Sequence, residues 1–367
     1  MSTAQGRAGS GLLDRLRSGM NFSFSGGRSA VGLSIGASSI KVAELSKKKN
    51  SWSMLKYAAI SLGDTSGEHR EISNPAATVT AIQAALKQAG ITSKDVCSAI
   101  AGSGLIIKNL MVTCANMKEL QDQVFWEAEQ YIPYDITEVV VDYQVIGEPK
   151  GDQVEVILVA VKKDFLEQYM SVIQQSKLKP KIMDTELFAL QNTFEANYSI
   201  SSTEAALLAD VGALSTKIVI CGNGIPYFTK DAPFGGIAVT QEIQKELSLP
   251  RVQDAEALKV SSNVPQEVKE VLGRTGQNLA GEIKKAIDFY TASSLGPPVT
   301  KVFLSGGGSR IDGLTRLVRE YSSIPCEYLN PFQQVTVEAK SFPGDIGSIS
   351  PEVVIPMGLA IRAGSEK

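Results

Sequence analysis

Two segments of the 367-residue chain repeat one another, and this constrains the fold more than any other feature. LSIGASSIKV at 33–42 aligns without gaps on ADVGALSTKI at 209–218, with identities at Gly36/Gly212, Ala37/Ala213, Ser39/Ser215 and Lys41/Lys217. Both read as β-hairpins. Apolar strands 31–35 and 40–45 flank the turn Gly36-Ala37-Ser38-Ser39, and strands 204–210 and 216–220 flank residues 211–215. A third strand follows each, at 51–62 and, after the Asn223-Gly224 turn, at 225–229. The spacing is too long for a solenoid repeat. It predicts a duplicated α/β fold of two lobes around a cleft, a favoured place for a ligand.

Between the repeats, Asn74-Pro75 predicts a helix start and Gly90 its end, with Ile82 and Leu86 on one face. Residues 96–101 read as a strand. A different unit follows: a helix at 118–131 (Leu120, Val124, Ala128), strands at 139–145 and 154–161, and a helix at 164–178. This predicts an α+β insertion. After the second repeat come helices to about 292, a strand at 302–304 ending in Gly306-Gly307-Gly308, and a helix at 311–321.

Single cores stop growing at roughly 250–300 residues, so more than one domain is expected. With 43% apolar and 20% charged residues the chain reads as soluble and globular. A net charge of −3 gives no attraction to phosphate backbones, so no nucleic-acid partner is expected. Cys97, Cys114, Cys221 and Cys326 stand far apart and His69 is the single histidine, a pattern that suits small buried thiols rather than a zinc site. No apolar run approaches ~18 residues, and no signal-peptide pattern opens the chain, so a cytoplasmic protein is expected. Residues 1–28 read as a flexible Gly/Ser-rich tail, with an amphipathic anchor around Leu12, Leu13, Arg15, Leu16 and Arg17 as the alternative.

A Gly/Ser turn exposes successive backbone N–H groups as a nest for anionic oxygen. Hydroxyls of Ser38, Ser39, Ser215 and Thr216 add donors, and two facing turns would grip a polyphosphate from both sides. Asp210, at the end of its strand, suits either a hydrated Mg²⁺ or a cap on its own turn. The run SGGGSR at 305–310 would let backbone approach a flat ligand closely.

Together these elements resemble the actin/Hsp70/sugar-kinase ATPase superfamily: 31–45 its first phosphate segment, 207–220 its second, 302–314 its adenosine segment and 355–363 its closing helix. The finer resemblance, carried by EAEQYIPYDITEVVVDYQV at 127–145, MDTELFALQNTF at 183–194 and QDAEALKV at 253–260, is to the PilM family of type IV pilus assembly, related to FtsA. The resemblance implies an actin-like ATPase fold with an FtsA-like 1C insertion. Its expected divisions are a tail at 1–28, lobe 1A at 29–104, the insertion at 105–182, a connecting helix at 183–202, lobe 2 at 203–354 (its 2B part about 237–295) and a closing helix at 355–367.

It further implies ATP or ADP with Mg²⁺. Gly36, Ser38, Ser39 and Lys41 would line the phosphates and Gly212, Ser215 and Thr216 would face them. Asp210 would orient hydrated Mg²⁺. Gly306, Gly307 and Gly308 would border adenosine, and Glu282 and Lys285 would flank the nucleoside, with an exposed helix ion pair as the alternative. Ser34 stands where the superfamily carries aspartate, so binding with slow or absent hydrolysis is expected.

The implied partner is the cytoplasmic N-terminal tail of a PilN-like membrane protein, met by Trp126, Tyr131, Ile132, Pro133 and Tyr134, of which at least half are expected to be core instead. Other pilus inner-membrane and motor components and self-association are further partners. The protein would then be a scaffold or switch at the inner face of the cytoplasmic membrane. Alternatives are an FtsA-like filament ATPase and a sugar- or acetate-kinase-like phosphotransferase, for which Asp184, Glu186 and Asp231 are candidate bases without a motif.

Overall fold

The computed structural model describes residues 29–49, 51–63, 72–114, 116–261, 263–293, 296–338 and 346–365. The first half runs β1 (Ser29–Ile35), β2 (Ser39–Lys48), β3 (Ser51–Ser61), α1 (Pro75–Ala89) and β4 (Asp95–Ile100). Next come β5 (Leu105–Thr113), α2 (Leu120–Tyr131), β6 (Val139–Val145), β7 (Gln153–Lys162), α3 (Lys163–Gln175), β8 (Lys179–Thr185) and α4 (Glu186–Asn197). The second half runs β9 (Ala205–Val211), β10 (Thr216–Gly222), β11 (Ile225–Ala232), α5 (Gly236–Glu246), α6 (Val252–Lys259), α7 (Gln266–Ser293) and β12 (Val299–Ser305). It closes with α8 (Leu314–Ser322), β13 (Cys326–Tyr328), β14 (Thr336–Val337), α9 (Ile346–Ile349) and α10 (Val354–Ser365). The tail predicted at 1–28 lies outside the described residues.

The chain divides into two compact units, one holding Ala101–Ser171 and the other Gly26–Ile100 with Val172–Lys367. The larger unit contains two sheets, and they share one topology. In the first the order is β14-β3-β2-β1-β4-β8, and in the second it is β11-β10-β9-β12-β13. Each begins as an antiparallel three-strand meander. Each then adds a parallel strand to its first member, β4 beside β1 and β12 beside β9, and another beyond it. The hairpin repeat is therefore the visible part of a whole-sheet duplication, the two-lobed actin-like fold.

Local chemistry sets the element ends. Asn74 accepts a hydrogen bond from the Ala77 amide at 3.0 Å, Pro75 opens α1, and Gly90 closes it at φ 65°. Helix α10 lies on β1 and α4 at contact distance. A Cβ on Gly32 would sit 2.0 Å from the Pro356 carbonyl oxygen, and one on Gly358 would sit 1.8 Å from that of Ala189.

The smaller unit is an antiparallel sheet, β5-β7-β6, with α2 on one face. Leu120, Val124 and Ala128 of α2 pack with Leu110, Val112, Val156 and Leu158 in its core.

Three departures from the sequence reading have physical causes. β5 and β8 were not anticipated, because LIIKNLMVT lacks strict alternation and KPKIMDT carries a proline and charges. Both are end strands of their sheets, where such residues are tolerated. The insertion was expected over 105–182, but 172–182 belong with the larger unit, since β8 pairs with β4. Residues around β14, expected with lobe 2, join the first sheet instead: β14 pairs with β3, and Val335 is buried with Trp52 and Met54.

Candidate functional site

The two repeated turns fold alike. The Gly36 amide donates to the Ser39 carbonyl at 3.1 Å, and the Gly212 amide to the Ser215 carbonyl at 2.9 Å. A Cβ on either glycine would stand 3.0 Å from that acceptor, a tight contact that both turns share. Register places Ser34 opposite Lys41 and Asp210 opposite Lys217. The serine that departs from the superfamily pattern thus occupies the same site in its hairpin as Asp210 does in the other. Ser34 is buried, Ser39 and Lys41 are half-buried, and Ser38 is exposed.

The second turn is braced from behind. Its Gly212 and Ala213 carbonyls accept from the amides of Gly236 and Ile237, at 2.9 and 2.8 Å. The Thr216 hydroxyl donates to the Phe234 carbonyl at 2.7 Å and the residue is fully buried. Thr216 therefore holds the turn in place and does not offer its hydroxyl to a phosphate, a correction to the sequence reading. Ser215 is also buried.

Asp210 lies in a polar row across the second sheet. Register sets Asp231 opposite Lys217, Lys217 opposite Asp210 and Ser305 opposite Asp210. The Ser305 hydroxyl donates to Asp210 Oδ1 at 2.9 Å. Burial pushes the Asp210 carboxyl above the usual carboxylate range, opposed by Lys217, the Ser305 hydrogen bond and Lys41. Lys41, from the first hairpin, is the weakest of these opposing influences.

Lys217 is tied to Glu186, the first residue of α4, at 2.6 Å, with both side chains nearly buried. Burial alone would lower the Lys217 pKa. The charges of Glu186, Asp231 and Asp210 outweigh it, so the ammonium is held protonated.

Among the described residues no cluster of three His, Cys, Asp or Glu is arranged to ligate a metal. The donor set is one buried carboxylate with a hydroxyl on one oxygen. That suits a hydrated Mg²⁺ held through water, not a directly ligated ion. The nests and the two lysines suit phosphate oxygens.

In the glycine run, Gly306, at φ 84°, and Gly308 press on Val211, where Cβ atoms would fall 2.4 and 2.7 Å from its carbonyl oxygen and Cγ1. They pack the run against the second turn. At Gly307 a Cβ would meet nothing closer than Glu352, at 3.7 Å, so this glycine is not held by close packing. The Gly306 amide donates to the Pro351 carbonyl at 2.7 Å, and Arg310 reaches the Ser348 carbonyl and Glu352. On α7, Glu282 accepts from Lys285 at 2.7 Å and from Lys230 of β11 at 3.1 Å. Those two partners hold its carboxyl below the usual range.

In the smaller unit Trp126 and Tyr131 are 75% and 48% exposed, and Pro133 is exposed. Ile132 is 5% exposed and sits in the core, with Tyr134 packed against it under Lys162. Ile132 is thus core and Tyr134 half-buried against it, two of the five residues of which at least half were expected to be core.

Sequence reasoning missed Phe234, Gly235, Gly236 and Ser305, and treated Lys217 only as a repeat identity. PFGG at 233–236 was the available signal: a Cβ on Gly235 would meet the Ala213 carbonyl at 2.5 Å. Among the candidate bases, Glu186 is engaged by Lys217, Asp231 flanks Lys217, and Asp184 lies 3.9 Å from Arg362.

Similarity to known proteins bears on this geometry. The protein is similar to a solved structure described as the PilM-PilN type IV pilus biogenesis complex, with 26% identity, 92% of this chain and 99% of that chain covered, and a TM-score of 0.82. It shares its fold with ethanolamine utilization protein EutJ from Carboxydothermus hydrogenoformans (13% identity, 95% and 98% covered, TM-score 0.55) and with a diol dehydratase-reactivating factor in nucleotide-free form (12%, 93% and 100%, 0.54). The family described as type IV pilus assembly protein PilM matches residues 32–364, nearly the whole sequence, and the chain belongs to that family.

Proposed function

We propose that the chain is a nucleotide-binding scaffold of the type IV pilus inner-membrane assembly. It holds ATP or ADP with hydrated Mg²⁺ in the larger unit and binds the cytoplasmic N-terminal tail of a PilN-like membrane protein through the smaller one. The observation that carries the nucleotide reading is the pair of equivalent glycine turns, each closed by the same amide-to-carbonyl bond, with Asp210 just ahead of the second. The partner reading rests on family membership and on the described PilM-PilN complex of a similar protein. Exposed Trp126, Tyr131 and Pro133 supply its contact surface, since aromatic residues dominate binding hot spots.

No described helix is long and apolar enough to cross a membrane. In this reading the protein reaches the inner face of the cytoplasmic membrane through its partner and couples that partner to the motor side. Hydrolysis is slow or absent, because Ser34 brings no charge to the first turn and charge-assisted bonds are roughly twice as strong as neutral ones.

Thermal shift with ATP·Mg²⁺ and ADP tests the cleft. Ligand at about 100 times its dissociation constant stabilises by roughly 2.7 kcal/mol. Titration with the PilN-like tail peptide, with and without nucleotide, tests the partner. No shift and no peptide binding would remove the two halves of the proposal separately.

A further inference from the structure

Lys217 and Glu186 form a nearly buried charge pair beside the second turn. It joins β10 of the second sheet to the N-terminus of α4, which directly follows β8 of the first sheet. It therefore crosses between the two duplicated halves. The Lys217 ammonium also lies against the second turn, 3.4 Å from where a Gly212 Cβ would stand. Asp210 and Asp231 flank it in register, so three carboxylates share one cation. A phosphate seated on residues 212–215 would find Lys217 as the nearest buried positive charge on the second sheet, already committed to Glu186.

We infer that Lys217–Glu186 is a phosphate-sensitive latch: the terminal phosphate of a nucleoside triphosphate draws the Lys217 ammonium away from Glu186 and so loosens the hold of the second sheet on α4. This rests on the nucleotide reading above and adds to it a means of signalling. Helix α4 is placed to pass the change on. Its Thr193 hydroxyl donates to the Val354 carbonyl at 2.6 Å, at the start of α10. Its Ala189 carbonyl faces Gly358. At its far end Asn197 Oδ1 accepts from the amides of Gln334 and Val335, at 2.9 and 3.2 Å. A diphosphate, ending short of Lys217, leaves the latch shut.

The test uses the full chain with a non-hydrolysable ATP analogue and with ADP, each with Mg²⁺, measured by calorimetry. Glu186→Gln frees Lys217 and is expected to tighten triphosphate binding by about tenfold, the scale of ordinary coupling between sites, with diphosphate affinity little changed. Lys217→Met is expected to lose the preference for triphosphate. The apolar pair Glu186→Leu/Lys217→Met keeps the helix anchored, since buried ion pairs are commonly replaced by packed apolar residues without loss of fold. It should bind both nucleotides alike. Hydrogen exchange over 186–197 should rise with the analogue in the natural chain and stay flat in the double variant.

The latch is overturned if the natural chain binds nucleotide but Glu186→Gln and the double variant keep its triphosphate-to-diphosphate ratio. Absence of binding in the natural chain and in Glu186→Gln together overturns the nucleotide reading as well. Binding by Glu186→Gln alone supports the latch, as a pair that holds the site closed.

Discussion

Ser305 Oγ donates to Asp210 Oδ1 at 2.9 Å, joining the strand that ends in the glycine run to the strand that ends in the second turn. This bond offsets only part of what burial costs Asp210, whose carboxyl stays above the usual range. The folded chain therefore binds the Asp210 proton more tightly than the unfolded chain. Its contribution to stability is greatest below the ordinary carboxylate pKa and declines as pH rises through the folded value.

Asp210→Asn removes that penalty and keeps an acceptor for Ser305. The ligand-free variant is expected to be more stable than the natural chain at neutral pH, with the difference shrinking in acid. Mg²⁺-dependent nucleotide binding should fall at the same time. Paired denaturant titrations at neutral and acidic pH, with and without nucleotide, measure both effects.

Gly32→Ala and Gly358→Ala each place a methyl inside a neighbouring backbone carbonyl's contact radius, 2.0 Å from Pro356 O and 1.8 Å from Ala189 O. Backbone on both sides of the contact cannot yield as a side-chain tip does. Each substitution is expected to cost about 3 kcal/mol or more, read as a lowered urea midpoint. Gly281→Ala, on α7 with nothing within 4 Å of its Cβ, serves as the control and should not destabilise.

The smaller unit separates recognition from packing. Trp126→Ala removes a side chain that is 75% exposed and should leave the melting temperature within about a degree, being a surface change. It should weaken tail-peptide binding by about tenfold, as truncated interface aromatics commonly do. Ile132→Ala empties a core position and is expected to cost about 2–4 kcal/mol. Unchanged peptide affinity in Trp126→Ala would move the partner surface away from the exposed face of α2.

What was legible beforehand follows the kind of interaction involved. The hairpins were readable because turn chemistry is local, and their duplication showed because Gly36 and Gly212 answer to the same backbone contact. Helical spacing marked Val124 as core, whereas Trp126 was named only through the family resemblance. Thr216 was misread because its hydroxyl is satisfied by Phe234, eighteen positions along the chain and joined to it only through the brace behind the turn. The pairing of Lys217 with Glu186, and of Asn197 with Gln334, needs tertiary placement that no local pattern carries. β14 escaped notice for a similar reason, since it is held mainly by pairing with β3.

Ser34 is where the two repeated hairpins differ in charge. Its hairpin sets it opposite Lys41 as the second sets Asp210 opposite Lys217, yet it supplies only a hydroxyl. Ser34→Asp would place a carboxylate in the first hairpin at the position Asp210 holds in the second, with Lys41 as its cross-strand counter-charge. The site is 4% exposed, so the added charge should lower the stability of the ligand-free protein, by about 1–3 kcal/mol for an incompletely paired buried group. Mg²⁺ should recover that loss when nucleotide is bound, because two carboxylates can then orient its waters. If the missing charge is what limits hydrolysis, phosphate release under single-turnover conditions should rise by about tenfold or more, the worth of roughly 1.4 kcal/mol at the transition state. A variant that binds Mg²⁺·ATP more tightly while releasing phosphate no faster would show that the carboxylate serves binding alone, and that slow turnover has its cause elsewhere, with the engaged Glu186 next in line.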